Sequence, residues 1–434
     1  MNLYLIVLLL LAAGAVLEWF KPKYQQKIFT VCWCVTTVVV ALRFGQGTDY
    51  ATYEGIYRTI PTVIDLSQGY ICGFYPEMGW RLFCAFFKLF QAPFWTVTMV
   101  AAVIEMLLLG RFLKKYVPYQ TTGLFLSYPV LIFVYMVSGL RQAMAICIFL
   151  GLVLPFYLEK KWIQYVIGVL IAASFHKVGY GWLVLVIAYY IPVWGMVALT
   201  GAATAVGLII QIPVVEQLIL RILPVYHMTQ FLTEGSISLF AVCERVVSFA
   251  VLLMLYIWLC SQKEEIPKWV QQLFKVYICG VCFYMLMSGN AYYASRYAAI
   301  FKAVECAVAA GLVACCRSSE DVIVTEKPHI GTGIPFRKYV GTGVMTFFLC
   351  LTLVMGVKNL HAAVSEGGYD KLGVNLFTYP YVSVLNQQKI NDYYDYQEKT
   401  DRMYEAMIFL MPLCPPALPF ARMRSLPTSR LISS

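Results

Sequence analysis

Residues 43–50 read Arg43-Phe44-Gly45-Gln46-Gly47-Thr48-Asp49-Tyr50, with Tyr53 just behind, and they follow directly on an apolar run. A cation, a carboxylate, two glycines and tyrosine rings in so short a stretch, at the end of a membrane-length segment, make it the first place to look for chemistry. Arginine suits phosphate because its planar fork can bond two oxygens at once. A carboxylate within reach of a hydroxyl can act as general base. Other polar residues interrupt the apolar chain in the same manner: Arg141-Gln142 after Ser138-Gly139, His176-Lys177 after Phe175, Glu244-Arg245, and Arg296 among Tyr292, Tyr293 and Tyr297. Charges at membrane depth are unfavourable, so they face a cavity or a partner.

Each of these residues also has a plainer reading. Arg43 at the end of an apolar run is equally an anchor reaching for the headgroups. Asp49 can cap a helix over 51–60 or serve as a base, and the sequence leaves both open. Arg141 opens a helix, where its charge opposes the helix dipole, so stabilisation alone explains it poorly. A lone His176 at a helix end can be structural. The tyrosines near Arg296 can stack on sugars or form an interfacial belt. Glu244 and Arg245 are adjacent and point to different helix faces.

The elements that must position these residues are membrane helices. Of the chain, 60% is hydrophobic and only 13% charged, whereas soluble domains are about a quarter charged. The apolar runs are too long and too continuous for barrel strands, and hydrocarbon demands closed backbone hydrogen bonding. The length rule gives about twelve spans, which makes the fold an all-α polytopic membrane protein. The first span, 2–20, is followed rather than preceded by lysines and lacks an evident cleavage site, so it reads as retained. Basic clusters at 21–27, 111–115, 160–161, 263–268 and 337–338 fall on one side and mark it as cytoplasmic. The residues named above then gather at the opposite, exterior ends. The segment 77–90 is too short for a crossing and reads as interfacial or re-entrant. The chain divides into a membrane domain over 1–360 with an exterior loop at 43–92, an exterior Tyr/Asp-rich segment at 361–410, and a tail at 411–434 expected to be disordered.

Several chemistries are disfavoured. Cys279-x-x-Cys282 lies inside an apolar run without a second pair or a nearby histidine, so these cysteines read as helix packing, and no metal is expected. No Asp-x-Asp pair stands in an exterior loop. No phosphate-cradling Gly-Lys-Ser/Thr loop is present, which speaks against an ATP-driven pump. The net charge of +10 reflects cytoplasmic anchors rather than nucleic-acid binding. No cofactor is expected.

The combination of Arg43–Tyr50 with Tyr53, Ser138-Gly139-Leu140-Arg141-Gln142 with Ala145, and Phe175-His176-Lys177 resembles the EpsG family of exopolysaccharide membrane proteins, over about residues 1–400. Lys177 and the Pro-rich tail depart from the family pattern. The family is related in role to Wzy-type O-antigen polymerases. The resemblance implies a GT-C-like polymerase or glycosyltransferase at the outer face of the cytoplasmic membrane. It would join oligosaccharide repeat units carried on undecaprenyl diphosphate into exopolysaccharide or capsule, alongside a flippase and a chain-length regulator. On that reading Arg43, Arg141 and Arg296 bind diphosphate, Asp49 or His176 acts as base, and Tyr50, Tyr53, Gln142 and Tyr293 line the sugar groove. The rival readings are a transporter of the same lipid-linked sugar and a non-catalytic scaffold. A transporter needs a pathway to both faces, but the unusual charges gather on one.

Overall fold

The computed structural model describes residues 2–64, 77–215, 237–317, 334–365, 375–390 and 392–410. The first helix, α1 (Leu3–Phe20), is capped by Asn2, whose side chain accepts from the Tyr4 amide. A short turn at Pro22–Tyr24 leads into α2 (Gln25–Ala41). After the 43–49 loop come α3 (Tyr50–Thr59), α4 (Met78–Lys88) and α5 (Phe94–Tyr116). The middle of the chain contributes α6 (Gln120–Met136), α7 (Leu140–Leu158), α8 (Trp162–Phe175), α9 (Lys177–Ala188) and α10 (Val193–Ile210). Then follow α11 (Leu239–Ser261), α12 (Lys268–Leu286), α13 (Ala291–Lys302), α14 (Glu305–Arg317), α15 (Ile334–Ser365) and α16 (Tyr393–Leu410).

Seven of these helices are long and apolar enough to cross a membrane, or eight when α13 and α14, bent by 44° at their break, count as one span. The chain is a membrane protein built from helices. The full-length spans are fewer than the about twelve that the length rule gives. The four remaining apolar runs form shorter helices, each for a local reason. Helix α2 stops at 17 residues. Helix α6 is interrupted by Pro129 and winds as a π-helix from Tyr128 to Met136. Helix α8 has 14 residues. Helix α9 begins as eight residues of the tighter 3-10 form, Lys177–Val184.

Within the segment expected to be interfacial or re-entrant, α4 is short and amphipathic, with Trp80, Cys84 and Phe87 buried and Met78, Leu82 and Phe86 exposed. The stretch 43–92 is therefore not simply a loop, since it holds α3 and α4, with 65–76 outside the described residues. The tail 411–434 and the greater part of the interval 213–238 and of the loop 317–339 also lie outside them.

The break between α13 and α14 is held by charge. The Lys302 ammonium pairs with the Glu244 carboxylate on α11 and lies 3.5 Å from Glu305 on α14. The indole of Trp182 on α9, stacked on Phe149 of α7 with centroids 4.2 Å apart, donates to the Ile300 carbonyl at 3.2 Å. These contacts fix α13, and with it Arg296, against the centre of the bundle.

Candidate functional site

The loop at 43–49 is locked onto the turn that precedes α7. Gly47 adopts φ +148°, and a Cβ there would sit 2.4 Å from the Val137 carbonyl oxygen, so only glycine allows the approach. The Thr48 amide donates to Ser138 Oγ at 3.1 Å. The first two sequence motifs are thus one structural unit.

Arg43 makes this lock, and its role is not the expected one. It is fully buried. Its guanidinium donates to the carbonyls of Val40 (2.6 Å), Met136 (2.7 Å) and Val137 (3.3 Å). The last turn of a helix leaves carbonyls unpaired and carries partial negative charge. A planar fork of donors satisfies the ends of α2 and α6 together. The expectation that Arg43 binds a diphosphate is corrected: its fork is occupied by backbone. Tyr50 is corrected as well. It is 1% exposed and packs between Phe44 and Phe94, at centroid distances of 5.9 and 5.2 Å, rather than lining a groove.

Arg141, in the first turn of α7, has a different partner. Its Nη1 lies 2.6 Å from Glu77 Oε2, with the arginine side chain 19% exposed and the glutamate 5%. Glu77 is the residue before α4, which packs on α8 through Phe83 and Phe175 at 6.4 Å. The Tyr53 ring lies under the Arg141 guanidinium at 5.6 Å and against Trp80 at 6.1 Å. Burial pushes the Tyr53 phenol up from its ordinary value; Arg141 and Arg296 act against this and Asp49 adds to it. One phenol therefore feels three of the residues picked out from the sequence.

His176 ends α8 and caps α9, its Nδ1 accepting the Val178 amide at 3.3 Å. Burial pulls its imidazole down to about 3, and the charges of Arg141, Arg296 and Lys177 pull the same way. The ring is neutral at physiological pH and a weak base. Arg296 lies with its guanidinium 3.9 Å from the Tyr292 ring centroid. Tyr293 stands beside it, half-buried, its ring 5.4 Å from that of Tyr292. Gln142 is buried, and its amide donates to the Arg296 carbonyl at 2.8 Å. The expectation that Gln142 contacts sugar gives way to a positioning role, since this bond ties α13 to α7. Asp49 occupies the cap position of α3, yet its carboxylate accepts no capping hydrogen bond. It is half-buried and open to other partners.

The structure therefore brings together Asp49, Tyr53, Arg141, His176 and Arg296, and sets Arg43 and Tyr50 apart from them. Two contributors escape a sequence reading. Glu77 stands before an aromatic helix, with nothing in the sequence pairing it to a residue 64 positions away. The second is the segment after α15. The Phe44 amide donates to the Val382 carbonyl (2.9 Å) and the Val384 amide to the Leu42 carbonyl (3.0 Å). Gln46 Nε2 donates to the Leu376 carbonyl at 3.1 Å, and the Tyr381 hydroxyl to the Val39 carbonyl at 2.7 Å. On α16, Asp401 pairs with Arg58, and the Tyr396 hydroxyl lies 3.4 Å from Glu54 Oε2.

No cluster of three or more potential metal ligands occurs among the described residues. The model of the EpsG family matches residues 26–325. The chain belongs to the EpsG family. Comparison with curated proteins and with solved structures gives no match. In EpsG-family terms, Asp49, Tyr53, Arg141, His176 and Arg296 all lie within the matched stretch, whereas the clamp at 376–401 lies beyond it.

Proposed function

We propose that this EpsG-family protein is a polysaccharide polymerase: a membrane glycosyltransferase that joins oligosaccharide repeat units carried on undecaprenyl diphosphate at the outer face of the cytoplasmic membrane. The observation that carries this reading is the meeting of Arg141 and Arg296 around Tyr53, with Asp49 on the same side, at one end of the helix bundle.

In the reaction, an acceptor hydroxyl oxygen of the next repeat unit bonds to the anomeric carbon of the growing chain. The bond from that carbon to the diphosphate oxygen breaks, and its electron pair leaves with the phosphate. Arg141 and Arg296 bind the charge that grows there, and donors already fixed in place favour the transition state over the ground state. Glu77 holds Arg141 in orientation until the phosphate shares it. Asp49 takes the hydroxyl proton. His176, neutral, accepts a hydrogen bond and does not compete as the base. Tyr293, half-buried, borders the sugar, while Tyr53 is buried and backs the Arg141 guanidinium from below.

The product is exopolysaccharide or capsule, with the repeat units supplied by a flippase and chain length set by a separate regulator. The test uses the purified protein and a lipid-linked repeat unit, followed for a ladder of longer glycans and for release of lipid diphosphate. Asp49→Asn at normal abundance should bind the donor and fail to extend it. Normal extension by Asp49→Asn would remove Asp49 from the mechanism.

A further inference from the structure

At the end of α5 opposite the Arg141 cluster, a cavity of about 460 Å³ opens between α2 and α5. Helix geometry makes it a groove. Leu107, Gly110, Arg111 and Lys114 follow one another at the spacing that keeps residues on one face of α5, and Phe29 and Trp33 do the same on α2. Seven residues separate Leu107 from Lys114, so the groove runs along about 10 Å of helix. Its deep part is apolar. The Trp33 indole N–H is satisfied by the Met106 carbonyl at 2.9 Å, which leaves the ring as a wall. A side chain at Gly110 would close the space, since a Cβ there would stand 2.9 Å from that nitrogen.

The mouth is cationic. Arg111, Lys114 and Lys115 are exposed around it, and Lys114 Nζ lies 5.8 Å from the Phe29 ring centroid. No carboxylate is among the described residues that line the groove. The acid whose field Lys115 enters is Glu159, itself bridged to Lys161 at 2.8 Å. An apolar slot with a cationic rim at the end of a membrane helix matches a lipid with an anionic headgroup: the acyl chain fits the slot and the phosphate the rim.

We infer that the groove between α2 and α5 binds one anionic phospholipid, with its phosphate among Arg111, Lys114 and Lys115 and an acyl chain along Leu107 and Trp33. This site is separate from the one proposed for glycan transfer, and its test does not depend on that activity. The full-length protein in detergent is titrated with phosphatidylglycerol, phosphatidylcholine or inorganic phosphate. Thermal unfolding is followed, and bound lipid is counted by native mass spectrometry. Phosphatidylglycerol should raise the unfolding temperature and remain as a single adduct, while the other two additives do neither. Replacing all three cations by glutamine should weaken phosphatidylglycerol at least tenfold. Leu107→Trp, which fills the slot from an exposed position and keeps every charge, should weaken it similarly. Equal stabilisation by phosphatidylcholine, full stabilisation by inorganic phosphate, or wild-type binding in either variant would overturn the assignment.

Discussion

Arg141 and Glu77 form a half-buried ion pair, Nη1 to Oε2 2.6 Å, across a chain separation of 64 residues. The pair aligns the cation that we assign to the leaving phosphate, and it makes Glu77 a positioning residue. Glu77→Gln keeps the shape and removes the charge. Glu77 is buried and Arg141 only 19% exposed, so removing one charge of the pair costs about 3 kcal/mol, and the protein should fold but melt several degrees lower. With the lipid-linked donor, kcat should fall more than KM rises, because the misaligned guanidinium meets less of the charge that grows on the leaving phosphate. An unchanged kcat in a folded Glu77→Gln protein would remove Glu77 from the site.

Arg43 should behave in the opposite way. Its three backbone bonds close two helix ends, and each carbonyl left unpaired in a buried position costs about 1–3 kcal/mol. Arg43→Met should therefore cut membrane abundance and melting temperature severely. Arg43→Lys, which keeps the charge but not the fork, should recover only part of both. An Arg43→Lys protein of wild-type stability that no longer binds donor would return Arg43 to the ligand.

The pH dependence of stability should carry the mark of His176. Its folded value is about 3, below the ordinary value of about 6.5. Above the ordinary value the ring is neutral in both states. As pH falls from there toward the folded value, the unfolded chain takes up a proton that the folded protein refuses, so stability is lost through that window. The melting temperature in detergent should decline from pH 6.5 to 4, and less steeply in His176→Asn. The rate profile should show no step from His176 near pH 6.5. An identical decline in His176→Asn would contradict the buried neutral ring.

The C-terminal clamp should be needed for the site although it lies outside the matched family region. Val384→Pro removes the amide that donates to Leu42, and Tyr381→Phe removes the bond to Val39. The phenylalanine variant should lose about 1 kcal/mol. The proline variant should lose more and expose the 43–49 loop to protease. Equal protease resistance in Val384→Pro and wild type would show that the loop holds its form without the clamp.

Much of the arrangement was legible in the sequence because hydropathy and charge are local. The apolar runs located the helices, and the interruptions at Arg141, His176 and Arg296 marked residues that the fold brings together. Helix length was less legible. Pro129 and the 3-10 start of α9 shorten spans for reasons that an apolar count does not register. The role of Arg43 was hidden because it depends on carbonyls 93 and 94 residues away, and backbone acceptors leave no trace in residue type. The same holds for the clamp, whose principal contacts are also main-chain. Asp49 divided evenly between cap and base by sequence. The structure separates position from interaction: it has the cap location without the cap hydrogen bond.

The central claim is that Arg141 and Arg296 together stabilise a departing lipid diphosphate. Its most direct test is the rate of lipid diphosphate release, with glycosidic bonds counted alongside, by purified wild type and by an Arg141→Ala/Arg296→Ala double variant whose folding is verified by its melting curve. The account predicts one diphosphate per bond formed, and a rate in the double variant lower by at least about 10²-fold. Wild-type release and a wild-type glycan ladder from the folded double variant would contradict it.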